Sequence, residues 1–130
     1  MLESRVLSIA IAKSWKEIYE AVWRPEVFPK WAAGLSESTL QKVGATWKAQ
    51  GPAGPVTIRF SDHNDFGVMD HYVDTGQGPE IYVPLRVIAN ADGAEVQLTL
   101  FRQPAMTEQQ FAADTELVRR DLKALKALVE

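Results

Sequence analysis

No cysteine occurs anywhere in the 130 residues, which excludes disulfides, thiolate metal centres and thiol nucleophiles. Histidine is scarce as well. With His63 and His71 alone, zinc would need an uncommon ligand set. No apolar run approaches the ~18 residues of a membrane span. The N-terminus, Met1-Leu2-Glu3-Ser4-Arg5, has no basic cluster and no cleavage site follows it, so no signal peptide is read and a cytoplasmic protein without membrane insertion is expected. Positive charge is in short supply, 14 Lys and Arg against 17 Asp and Glu, which argues against a nucleic-acid partner. Gly-x-Ser-x-Gly, P-loop and dinucleotide fingerprints are missing. The one glycine-rich loop, Gly51-Pro52-Ala53-Gly54-Pro55, contains prolines that remove the amides a phosphate cradle needs. No cofactor is implied.

What remains is the balance of an ordinary globular chain, 46% hydrophobic and 24% charged. The length suits a single domain, residues 1–130. A chain of this size buries roughly two-thirds of its extended surface without a staple. Residues Arg5 to Ala12 alternate, with Leu7, Ile9 and Ile11 on one strongly apolar face. Ser14 and Glu17 have capping-box spacing, and Trp15, Ile18, Tyr19, Val22 and Trp23 follow at helical spacing. Pro25 stops that helix and opens a short second one, about Pro25 to Ala32. Six strand signals come next: Glu37 to Val43, Ala45 to Gln50, Val56 to Ser61, Gly67 to Asp74, Glu80 to Ala89 and Glu95 to Arg102. Thr107 and Gln110 form a second capping-box pair ahead of a helix of about 23 residues, ~34 Å long. Phe111, Val118, Leu122, Leu125 and Val129 give that helix one apolar stripe.

The pattern predicts an α+β fold: a seven-stranded antiparallel sheet curved around a long C-terminal helix, with two short helices after strand 1. A coiled sheet and a straight helix leave a gap, so a cavity is expected between them. Pro84 falls inside the sixth strand and predicts a bulge or local break there.

The element order, the segment Val-Trp-Arg-Pro-Glu-Val-Phe-Pro-Lys-Trp (Val22 to Trp31) and the final helix resemble the START / pollen-allergen-like superfamily (SRPBCC). The nearest branch is the polyketide cyclase/dehydratase-like one. The resemblance covers nearly the whole chain and implies the helix-grip fold. It also implies a cavity entrance near the short helices and strand loops. It implies no single activity, because lipid carriers, receptors, cyclases and co-chaperones share the fold.

Within that frame, the candidate ligand-lining residues are Trp31 and Trp47 at the cavity mouth, the inward strand residues Ile58, Phe60, Met69 and Leu98, and Phe111, Thr115 and Val118 on the last helix. His71 shares a face with Met69 and Val73, so it points inward. It is read either as a polar anchor or general base in an apolar pocket, or as a satisfied core histidine. Asp70 points to the other face and cannot orient it directly. Tyr82 and Arg86 lie opposite the apolar residues of their strand. They face solvent unless the irregularity at Pro84 turns them inward, so both orientations stay open. Asp62-His63-Asn64-Asp65 reads as a solvated turn.

Three functions follow. The first is binding of a small hydrophobic or aromatic molecule, lipid- or polyketide-like, by a monomer or homodimer. The second is a cyclase/dehydratase-type enzyme with His71 as general base, helped by Tyr82 or Arg86. The third is a ligand-free interaction module with a filled interior.

Overall fold

Alternation of Leu7, Ile9 and Ile11 with smaller or polar neighbours makes the first segment a strand, β1 (Ser4–Ile11), in the computed structural model, which describes residues 1–35, 39–51 and 53–130. Helix α1 (Trp15–Val22) starts where the Ser14 hydroxyl accepts the Glu17 amide at 3.3 Å. The second predicted helix is a 3-10 turn over Pro25–Lys30, followed by another over Ala33–Leu35. Pro25 and Pro29 carry no amide hydrogen, so a full α-helical ladder cannot form. The tighter Trp31 N–H to Phe28 carbonyl bond, 3.2 Å, closes this turn instead.

The remaining elements are β2 (Gln41–Val43), β3 (Thr46–Gly51), β4 (Gly54–Phe60), β5 (His71–Asp74), β6 (Ile81–Val83), β7 (Leu85–Asn90), β8 (Gly93–Phe101) and α2 (Glu108–Val129). Glu37 and Ser38, the predicted start of the second strand, lie outside the described residues. At α2 both arms of the capping box close. Gln110 N–H donates to the Thr107 hydroxyl at 3.1 Å, and Thr107 N–H donates to the Gln110 side chain at 2.8 Å.

The expectation of one seven-stranded sheet needs correction. The described residues form eight strands in two antiparallel sheets, ordered β1-β8-β7 and β2-β3-β4-β5-β6. Pro84 is the cause. The segment 80–89 pairs with β5 before the proline and with β8 after it. Thr99 N–H still donates to the Pro84 carbonyl at 3.0 Å, but proline has no hydrogen to return. The segment ahead of β5 crosses this seam. Met69 N–H donates to the Leu85 carbonyl at 2.7 Å, and Val87 N–H donates to the Gly67 carbonyl at 2.9 Å. Gly67 has φ +68°, and a Cβ there would run into the Val87 carbonyl. Only glycine allows this approach.

Asp70 fastens the same seam. One of its oxygens accepts the Leu85 N–H at 2.9 Å and Arg86 Nε at 3.3 Å. The other accepts the Tyr82 hydroxyl at 2.7 Å and Arg86 Nη2 at 2.9 Å. Burial pushes the Asp70 carboxyl up. The bonds from Arg86, Tyr82 and Leu85 outweigh that and leave it below the usual carboxylate range. A single charge thus replaces a broken length of sheet ladder.

The core lies on the inner faces. Leu7, Ile11, Leu85, Val87, Val96 and Leu98 meet Ile18, Tyr19 and Val22 of α1 and Leu122, Leu125 and Val129 of α2. α2 packs on β1 and β8 and reaches the 3-10 turns, where Asp121 accepts the Ala33 N–H at 3.0 Å. A smaller cluster of Leu35, Ala49 and Ile58 fills the far end under β3 and β4.

Candidate functional site

Cross-strand register builds the site. Phe60 on β4 lies opposite His71 on β5, which lies opposite Val83 on β6. The side chains of opposed residues share a face, so His71 belongs to the inner row. It is 3% exposed. Phe28, from the first 3-10 turn, packs edge-on against three rings at once: Trp31 at 4.8 Å, His71 at 5.0 Å and Phe60 at 5.3 Å between centroids. Behind these rings is a cavity of about 10 Å³, lined by Trp23, Phe28, Trp31, Phe60, Met69 and His71 with Val22, Arg24 and Leu85. That is room for about one oxygen atom.

Trp23, Arg24 and Phe60 have a second side. They also form the inner wall of an open groove of about 430 Å³ that continues past Pro25, Glu26, Lys42, Trp47 and His63. A groove of this size accommodates a small organic molecule. Trp47 lies opposite Lys42 on β2 and Ile58 on β4, and the Lys42 ammonium is 6.0 Å from its ring.

The His71 ring has a defined tautomer. Its Nδ1 is 3.1 Å from the Met69 carbonyl, which can only accept, so the proton is on Nδ1. Burial lowers the His71 pKa. The bond to Met69 and the nearby Asp70 charge oppose this only in part. The ring is neutral at pH 7, and Nε2 carries a lone pair.

The other sequence candidates fall elsewhere. Tyr82 and Arg86 do not turn inward. The register is the same on both sides of Pro84, with His71 opposite Val83 and Val68 opposite Arg86. No residue is inserted, and parity is kept. Both side chains hold Asp70 on the outer face, where they border a separate shallow depression of about 250 Å³. Ile58 and Leu98 are buried core residues, and Val118 packs against the core. Phe111 is 1% exposed, with the Arg5 guanidinium 4.5 Å from its ring. Thr115 is buried, donates to the Phe111 carbonyl at 2.8 Å and accepts from Arg5 at 3.2 Å. No residue of α2 lines either the groove or the inner cavity. Among the described residues no three metal-ligating side chains converge.

No family model matches the chain, and no curated protein matches it. Solved structures do. A START superfamily protein from Mycobacterium smegmatis superposes with TM-score 0.70 at 11% identity, covering 97% of this chain and 96% of that one. The di-domain ARO/CYC BexL from the BE-7585A biosynthetic pathway gives TM-score 0.71 at 18% identity, over 98% of this chain and 46% of its own. Ara h 8.0201 gives 0.69 at 9% identity, over 99% and 98%. The chain has the START fold. Likeness at these identities establishes the architecture and leaves the chemistry to the site itself.

In this START-like domain the sequence pattern did not reveal Phe28 and Trp23 as site residues. The 3-10 turn that carries Phe28 lacks the 3.6-residue period that would mark a face. Nor did it reveal the setting of His63. His63 is exposed, as a solvated turn residue is, but its ring also packs at a tilt against Trp23 at 4.7 Å and Tyr19 at 5.4 Å, and its Nε2 lies 2.6 Å from Glu20.

Neutral burial of His71 has a measurable consequence. The unfolded chain takes up a proton at this residue below about pH 6.5, its ordinary pKa, whereas the native state resists until lower pH. Stability should therefore fall as pH drops below about 6.5, by up to about 1.4 kcal/mol per pH unit from this one group. Urea denaturation of the wild type and His71→Gln between pH 7.5 and 5 isolates the term. The wild type should show the steeper fall, and parallel curves would refute a neutral buried imidazole.

Proposed function

We propose that the protein binds a small, flat, largely apolar molecule, with its body in the groove between Trp23, Phe60 and Trp47 and its inner end toward His71. One observation carries this reading. Trp23, Arg24 and Phe60 line both an open groove of about 430 Å³ and a smaller nook of about 10 Å³ that His71 also lines. Aromatic walls suit a flat ligand, since they offer large contact area at low entropic cost. The entrance lies near the short helices and strand loops, as the family resemblance implies. The groove lies at the short-helix end, and no residue of α2 lines it. The likeness to the ARO/CYC BexL supports a polyketide-like ligand class.

Enzymatic cyclisation or dehydration is the second reading, favoured by the neutral His71 and its available lone pair. Tyr82 and Arg86 give it no help, because they lie on the opposite face.

The test is a thermal-shift series with flat aromatics, fatty acids and sterols. A ligand at 100 times its Kd adds about 2.7 kcal/mol to native stability, so flat aromatics should raise the Tm by several degrees. Trp47→Ala should abolish that rise while leaving the unliganded Tm within about two degrees, because Trp47 is a half-buried groove residue. Failure of every ligand class to move the Tm would contradict the reading and favour a ligand-free module.

A further inference from the structure

The indole Nε1 atoms of Trp23 and Trp31 are both buried without a hydrogen-bond partner. Native proteins seldom leave such donors unpaired, and each orphan costs about 1–3 kcal/mol. Both rings line the same cavity of about 10 Å³, and His71 lines it too. The Nδ1 proton of His71 is committed to Met69, so Nε2 can only accept. The rings around one small cavity therefore supply two donors and one acceptor.

Chemistry selects the group that matches. A hydroxyl oxygen accepts two hydrogen bonds and donates one, which satisfies both indoles and the imidazole together. A carbonyl or ether oxygen has no proton for Nε2. An ammonium group has no lone pair for the indoles. A carboxylate would find a counter-charge in Arg24, which also lines the cavity, but it too lacks the proton for Nε2. The groove has Trp23, Phe60 and Trp47 on its lining, together with charged and polar residues such as Glu26, Lys42 and Asp62. An aromatic ring lying there carries its substituent toward the nook.

We infer that the cavity behind Trp23 and Phe60 is a hydroxyl-binding subsite and that the ligand is a phenol-type aromatic alcohol. This inference rests on the proposed ligand-binding function and names the polar group that decides specificity. The recognition is geometric. Nε2 needs a proton from its guest, so the site prefers the protonated phenol to the phenolate.

Calorimetric titration with 2-naphthol, 2-methoxynaphthalene and naphthalene tests it, joined to indole proton–nitrogen NMR spectra. The four tryptophans give four indole signals, so the wild-type protein reports without any variant. The naphthol should bind about tenfold more tightly than its methyl ether, the worth of one well-made buried hydrogen bond. At saturation the indole protons of Trp23 and Trp31 should move downfield, and that of Trp15 should stay. In His71→Phe the tenfold preference should vanish while naphthalene binding persists. Equal affinity for all three compounds, with unmoved Trp23 and Trp31 signals, would mean that the nook takes water only. That result overturns the subsite and leaves aromatic binding standing. Binding by none of the three would overturn both.

Discussion

Phe111→Ala should lower the unfolding free energy by about 3–5 kcal/mol, the usual range for emptying a buried phenylalanine site. Phe111 is 1% exposed near the start of α2, under the Arg5 guanidinium. Its backbone carbonyl also accepts the Thr115 hydroxyl, which in turn accepts from Arg5. The ring cannot be removed without leaving a hole between α2 and β1, because α2 is held by its own capping box and its contacts to β1. Urea denaturation measures the loss. The same variant should keep its affinity for aromatic ligands, since Phe111 borders neither groove nor nook. A loss of under 1 kcal/mol, or a drop in ligand affinity at preserved fold, would place Phe111 in a binding cavity instead of the core.

Asp70→Ala should cost about 2–4 kcal/mol, a range set by bonds to a charged group and by the donors left behind. The Leu85 amide and the Tyr82 hydroxyl would both lose their acceptor at the seam between the two sheets. Asp70→Asn keeps an acceptor for one of them and should cost about half as much. Arg86→Ala should cost under about 1 kcal/mol, because the Arg86 side chain is 51% exposed and water replaces much of what it offers. Chemical denaturation of the three variants gives the ranking. The Asp70 contribution should also fade in strong acid. Its folded pKa is below the ordinary value, so the stabilisation is present above about pH 4 and is lost as pH falls through the lower folded value. Equal losses for Asp70→Ala and Arg86→Ala would show that the surface ion pair, and not the repair of the ladder, is what matters.

Much of the fold was legible because it obeys two periods. Period-2 alternation placed Met69 and His71 inward and Asp70 outward. The 3.6-residue stripe and the Thr107–Gln110 box fixed the last helix. Pro84 announced the break in the sixth strand, but its consequence was not legible. Whether a proline shifts parity depends on which neighbour its missing amide faces. Here it faces β8, so the pairing with the strand that carries His71 keeps its register and Tyr82 and Arg86 stay outside. The groove bordered by Trp23, Phe60 and Trp47 was equally hidden. Apolar faces can be read from a pattern, but which layer closes over which part of a face depends on three-dimensional packing. α2 covers β1 and β8, and the short Pro25–Lys30 turn covers the rest through Phe28, in a segment with too few residues to show any period.

The pairing of two orphan indoles with a one-sided imidazole could not be seen in the sequence at all. Trp23, Trp31 and His71 come from three different elements and have no shared spacing. Their meeting depends on the curvature of the sheet and on the Pro25–Lys30 turn that links Trp23 to Trp31.

A crystal structure of the protein with 2-naphthol tests the account most directly. The account expects the naphthalene ring between Trp23 and Trp47 and the naphthol oxygen within hydrogen-bond distance of both indole nitrogens and of His71 Nε2. Density for the ligand elsewhere on the molecule, or a ring in the groove with its oxygen turned outward to solvent, would contradict it.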